Sequence, residues 1–117
     1  MLDATIILSA IIAIKATHNP ATSPLPISAF VKAGHEIVSE INLNGGKAIF
    51  FKTDVSKSAE VSKSIKAVIK EFNKIDILFN HAGTIIVKPL HKSTEDDYDR
   101  LMDINVRSAF LTCSKVI

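Results

Sequence analysis

The amino-acid sequence predicts an α/β fold, part of a doubly wound parallel sheet, and three observations predict it. Apolar residues recur at helical spacing in three stretches after Ser28. Two short apolar runs, residues 48–51 and 75–79, alternate with those stretches, and the joints between them are brief. Helix, strand, helix, strand, helix in that order is the signature of parallel strands joined by right-handed crossovers.

The elements follow in chain order. Residues 4–14 are almost wholly apolar but too short to span a bilayer, which takes about 20 residues; Asp3 stands where a secretory leader would carry a basic residue. The run reads as a buried strand or a buried helix, with no membrane role. Residues 17–28 hold three prolines and read as an extended linker, so residues 1–32 form an atypical leading segment and residues 33–117 the domain proper. Phe30, Val31, Ile37, Val38 and Ile41 mark a first helix, ended by Gly45-Gly46 where positive φ is easily adopted. Residues 48–51 read as a strand covered on both faces. Ser56 is the expected N-cap of a second helix whose buried face is Val61, Ile65, Val68, Ile69 and Phe72. Its lysines at 57, 63, 66, 70 and 74 read as a solvated surface.

After the second strand come residues 80–83, Asn-His-Ala-Gly. Thr94 with Asp97 then forms a capping-box pattern at the start of a helix expected to run close to the end of the chain. Tyr98, Leu101, Met102, Val106, Phe110 and Leu111 are its expected packing residues, and Asp96–Arg100 and Asp103–Arg107 are i,i+4 pairs worth a few tenths of a kcal/mol each.

Composition narrows the function. The 117 residues make one domain at most, and 47% apolar with 22% charged residues is a globular balance. Fourteen basic against twelve acidic residues, interspersed, argue against nucleic acid. A single cysteine, Cys113, excludes an internal disulfide and fits a reducing, cytoplasmic setting. His18, His35, His81 and His91 have no metal-ligand spacing, so no metal site is expected.

In a parallel sheet, ligands sit beyond the carboxyl ends of the strands. The residues at those places are Asp54 and Val55 after the first strand, and Asn80, Ala82 and Gly83 after the second. Singly, each reads as well as a turn residue. Together with the glycine turn 45–48, the run Ile75-Asp76-Ile77-Leu78 and the closing Met102-Asp103-Ile104-Asn105-Val106, they resemble the short-chain dehydrogenase/reductase family over roughly residues 33–117.

The resemblance implies a partial Rossmann-like domain binding NAD or NADP, and hydride transfer with an alcohol or carbonyl substrate. It implies that Asp54 accepts a hydrogen bond from the adenine amino group beside Val55. Asn80 would brace the central sheet, Ala82 and Gly83 would line the adenosine ribose, and Asn105 would be the catalytic asparagine. A mid-helix asparagine can compete for backbone hydrogen bonds, and in the family this frees a carbonyl for a water in a proton relay. His81 departs from the family's Asn-Asn-Ala-Gly and reads as a tolerated variant.

Two family motifs do not occur. The four glycines (34, 45, 46 and 83) form no Gly-x-x-x-Gly-x-Gly, and Tyr98 is followed at the fourth place by Met102, so there is no Tyr-x-x-x-Lys. The expectation is a severed enzyme, idle alone and binding dinucleotide weakly. The alternative is a non-catalytic interaction module that docks on a full-length relative, forming a homo- or hetero-oligomer through the helix over residues 94–117.

Overall fold

The computed structural model describes residues 27–117; the apolar run over residues 4–14 and all but the end of the proline-rich stretch lie outside them. Among the described residues four α-helices follow in order: α1 (Ile27–Leu43), α2 (Ser58–Phe72), α3 (Glu95–Met102) and α4 (Ser108–Val116). A π-helical turn, Asp103–Arg107, joins α3 to α4, and a short 3₁₀ turn, Leu90–Lys92, precedes α3.

α1 ends as its sequence dictates and runs unbroken through Ala33. Gly45 takes φ +86°, the Gly46 amide donates to Ile41 O, and the Gly45 amide to Asn42 O. That pair of bonds is a Schellman closure, which a residue lacking Cβ forms without strain. Phe30, Val31, Val38 and Ile41 are half-buried, whereas Ile37 turns to solvent. The helix lies against residues 48–51. Asn42 grips the Ala48 backbone through both amide atoms, the His35 and Phe50 rings meet edge-on at 4.9 Å, and a Cβ on Gly34 would come within 2.5 Å of the Phe50 ring.

Among the described residues neither apolar run forms a strand, which corrects the sheet expectation for this chain. The reason is topological. By the family resemblance the two runs stand where strands 3 and 4 do in the order 3-2-1-4-5, with strands 2 and 1 between them, so they cannot bond to each other. Cover differs between the runs: in the first Ala48 is buried and residues 49–51 are half-buried, whereas in the second Ile77 and Phe79 are 53% and 57% exposed.

The core lies between α2 and α4. Val61, Ile65 and Val68 of α2 are buried, and Val61 and Ile65 pack with Leu111, Ile75 and Val116. Ile69, expected inside, is 42% exposed. Ser64 takes an inward place and shares a hydrogen bond with Thr53, so a polar pair closes on itself inside the core.

The packing face of the last helical run also needs correction. Leu101, Ile104, Ser108, Leu111 and Thr112 face inward, while Tyr98, Met102, Val106 and Phe110 are exposed. Serine and threonine can be buried on a helix because their hydroxyls bond to carbonyls of the preceding turn. Ser108 Oγ does this with Ile104 O, and Thr112 Oγ1 lies 3.0 Å from Ser108 O. Leu101 and Leu111 therefore pack as expected, and the other four expected packing residues do not.

At the start of α3 the capping box is complete. The Asp97 amide donates to Thr94 Oγ1 and the Thr94 amide to Asp97 Oδ2, 2.8 Å away. Lys88 pairs with the same carboxylate, and its hydrogen bond, with those of Thr94, holds the Asp97 pKa down to about 2. The expected Asp103–Arg107 pair is present at 3.4 Å.

Candidate functional site

The site is built where the ends of the two apolar runs meet the π turn. Val55 is 1% exposed and packs on Ile104 of that turn; Ala82 packs on the same pair. This small apolar cluster brings Asp54–Val55, Ala82–Gly83 and Asn105 to one place, although they are far apart in the chain.

Asp54 stands at the mouth of α2, held from several sides. Its Oδ1 accepts from the Ser56 hydroxyl at 2.7 Å and from the Ser56 amide at 3.2 Å. Its amide donates to Glu60 Oε2 at 2.7 Å, and its carbonyl accepts from the Lys57 amide. Ser56 is therefore not the N-cap of α2, contrary to expectation. Its hydroxyl is taken by Asp54, and Lys57 occupies the cap position with no side-chain bond.

Gly83 and Asn105 are in near contact. Asn105 Oδ1 accepts from the Thr84 amide at 2.7 Å, and its Nδ2 donates to Thr84 O at 2.9 Å. A Cβ on Gly83 would lie 3.3 Å from Asn105 Oδ1, tight enough to press on that pair. The asparagine does not bond to its own helix, as the sequence reading supposed. Ser108 supplies that interaction instead. Its amide donates to Asp103 O, widening the turn, and its hydroxyl satisfies Ile104 O. Wide turns of this kind inside helices are frequent at functional sites.

Asn80 engages α4. Its Oδ1 accepts from Thr112 Oγ1 at 2.6 Å and its Nδ2 reaches Cys113 Sγ at 3.4 Å, so it ties the second run to α4 and not to a neighbouring strand. The His81 ring is tilted on Phe79 at 5.6 Å between centroids.

Sequence reasoning overlooked Glu60, Thr84, Ile104 and Thr112. Thr84, Ile104 and Thr112 work through partners more than twenty residues away, and Glu60 through the Asp54 backbone amide six residues before it, so no apolar or capping pattern marks them.

No group of three or more His, Cys, Asp or Glu suited to a metal occurs among the described residues, and no helix there is long and apolar enough to cross a membrane.

The sequence model of the short chain dehydrogenase family matches residues 12–117. Cyclopentanol dehydrogenase of Comamonas sp. (strain NCIMB 9872) is 37% identical over 84 residues, 72% of this chain and 34% of that enzyme. A hydroxynaphthalene reductase-like protein of Metarhizium brunneum (strain ARSEF 3297) is 37% identical over 79 residues, 68% of this chain and 30% of that protein.

Solved structures are similar too. A dehydrogenase/reductase from Sinorhizobium meliloti 1021 matches with TM-score 0.71 and 28% identity, over 74% of this chain and 34% of its own. A short chain dehydrogenase from Burkholderia cenocepacia J2315, in complex with NADP, matches with TM-score 0.70 and 27% identity, over 73% and 35%. The chain thus spans about a third of the length of the relatives it matches. The likeness puts it in the Rossmann-like α/β class, of which the described residues supply helices.

Proposed function

Because the chain belongs to the short chain dehydrogenase family, we propose that its residues form the adenosine side of a dinucleotide site, in a protein that moves hydride between NAD or NADP and an alcohol or carbonyl substrate. The observation that carries the proposal is the convergence of Asp54–Val55, Ala82–Gly83 and Asn105 on the cluster around Ile104. The residues fit the adenosine half of such a molecule. Asp54 offers a fixed acceptor carboxylate, Val55 and Ala82 apolar surface, and Gly83 a position where a side chain would press on Asn105.

When bound, the cofactor supplies the hydride chemistry. The chain's own residues orient it: Asp54 receives the adenine amino group, and Ala82 and Gly83 lie along the ribose. Asn80 holds the second run against α4. Asn105 locks the turn at Thr84, so the wide turn of the helix stays opposite Gly83, where a proton relay would begin. Turnover needs an acid/base for the carbonyl oxygen, and the 117 residues contain no Tyr-x-x-x-Lys. The chain by itself is therefore expected to bind adenosine nucleotides weakly and to turn over no substrate.

Titration of the isotope-labelled chain with AMP, and separately with nicotinamide mononucleotide, tests this. AMP is expected to shift the amides of Asp54, Val55, Ala82 and Gly83, with no matching response to nicotinamide mononucleotide. Silence at those four amides, or NADPH oxidation with a ketone by this chain, overturns the reading.

A second reading rests on a separate observation. Tyr98, Met102, Val106 and Phe110 recur at four-residue intervals along α3 to α4, and all four are exposed. That stripe suits docking on another protein of the family, forming a homo- or hetero-oligomer through this helical run. Light scattering of the chain alone and mixed with a full-length relative tests it; monomers in both samples exclude it.

A further inference from the structure

We propose that the groove between the first apolar run and α2 docks an extended acidic peptide, which adds as a strand along the open edge of residues 49–53. The inference does not rest on the adenosine-site reading.

The run is extended, and both of its faces are taken. Phe50 meets the His35 ring of α1 at 4.9 Å, and three residues on, Thr53 shares a buried hydrogen bond with Ser64 of α2. Residues an odd number apart point to opposite sides of an extended chain, so one helix covers each side. Hydrogen bonds fasten only the two ends. Asn42 holds the Ala48 amide and carbonyl, and Glu60 Oε2 holds the Asp54 amide. Between these ends the backbone of residues 49–53 makes no hydrogen bond among the described residues. Backbone donors and acceptors require partners, and with both faces covered the free direction is the edge.

That edge opens into a groove of about 460 Å³, with Phe51, Lys52 and Thr53 on one wall and Lys63, Ser64 and Ala67 of α2 on the other. Adding a strand to an open edge is a recurrent way to hold a peptide. The ladder bonds supply affinity, and contacts to alternate side chains supply specificity.

Charge selects the peptide. Lys52, Lys63 and Lys66 are exposed and make no ion pair among the described residues. Both acids of α2 are engaged, Glu60 at the Asp54 amide and Glu71 with Lys47 at 2.6 Å. Glu60 also lines the groove, but at its Asp54 end, so a peptide carboxylate is favoured one turn further along, beside Lys63. A nucleic acid would meet the same lysines without a backbone that completes a ladder.

Titration of the isotope-labelled 117-residue chain with end-blocked heptapeptides that alternate valine and glutamate tests the site, with amide shifts as the readout. The valine–glutamate peptide should shift the amides of residues 49–52, Lys63 and Ala67. The same peptide N-methylated at alternate amides keeps every charge but loses the donors of one edge, and should bind about tenfold more weakly. A valine–lysine peptide should not bind. Lys52→Glu combined with Lys63→Glu should weaken the valine–glutamate peptide about tenfold and admit the valine–lysine one. Silence at residues 49–52, equal binding of the N-methylated peptide, or equal binding of the valine–lysine peptide by the unaltered chain refutes the proposal. So does a better occupant at the same amides. That would be a second copy, seen as shifts that follow protein concentration alone, single-stranded DNA, or a peptide with the uncharged sequence of residues 4–14.

Discussion

Replacing Asn105 with alanine removes two hydrogen bonds to one residue, Thr84, and the structure sets the size of the effect. The bonds measure 2.7 and 2.9 Å, and Asn105 as a whole is exposed, so water can replace them in part. At about 0.5–1.5 kcal/mol each, the pair contributes roughly 1–3 kcal/mol. Alanine is the better helix former and returns up to about 0.7 kcal/mol. The net loss is about 0.5–2 kcal/mol, concentrated at the turn over residues 83–84, since the α2–α4 core does not involve Asn105. Every 1.4 kcal/mol is about a factor of ten, so the Thr84 amide should exchange its proton about twofold to about thirtyfold faster in Asn105→Ala. Amides of Val61 and Ile65 should change little. Asn105→Asp is the sharper case, because it keeps an acceptor for the Thr84 amide but sets a carboxylate against Thr84 O; exchange at Thr84 should again quicken. Hydrogen exchange read residue by residue is the assay. Equal Thr84 exchange in the native chain and in Asn105→Ala would show that the pairing does not hold the turn and that Asn105 positions nothing there.

Other perturbations reach different layers of the molecule. Ile65→Ala empties a position that is 2% exposed at the centre of the α2–α4 core; a loss of about 2–5 kcal/mol is expected, and urea unfolding followed by circular dichroism should show a lower midpoint or no cooperative transition. Gly45→Ala forces a side chain to φ +86°, with a loss of about 1 kcal/mol; Gly45→Asn should lose less, since asparagine tolerates the left-handed region, and matched thermal melts will rank the two. Asp97 has its pKa lowered from 3.8 to about 2, chiefly by the hydrogen bond from Lys88. A depressed folded-state value stabilises above the unfolded pKa and loses that contribution as pH falls through the folded one, so the pair should weaken from about pH 4 down to about pH 2. Lys88→Met should raise the Asp97 titration midpoint and move acid unfolding to higher pH; an unchanged carbon-13 titration of Asp97 would contradict the assignment.

Where these effects could be foreseen, the information was local. The Thr94–Asp97 box, the glycine closure of α1 and the Val61–Ile65–Val68 face each depend on residues within one to three turns, so spacing alone identifies them. Asp54, Val55, Ala82, Gly83 and Asn105 were legible as candidates because strand ends in parallel sheets are where ligands gather, and because their order matches a family pattern.

Placement depended on contacts the chain order does not display. Asn80 was expected to brace a sheet; it reaches Thr112 instead, thirty-two residues away. Asn105 was expected to disturb its own helix, but it spends both amide atoms on Thr84, and Ser108 takes the freed carbonyl. Tyr98, Met102, Val106 and Phe110 look like a core stripe by apolar count, yet the buried side of that helical run carries Ser108 and Thr112, whose hydroxyls bond to the preceding turn. The sequence by itself determined the helices, the closure of α1, the capping box of α3 and the candidate residues, because those depend on neighbours within a few turns. Only the tertiary structure decided which helix face is buried, which atoms the site residues engage, and that the two apolar runs remain unpaired among the described residues, because a ladder needs an adjacent strand and a face is buried only by what comes to cover it.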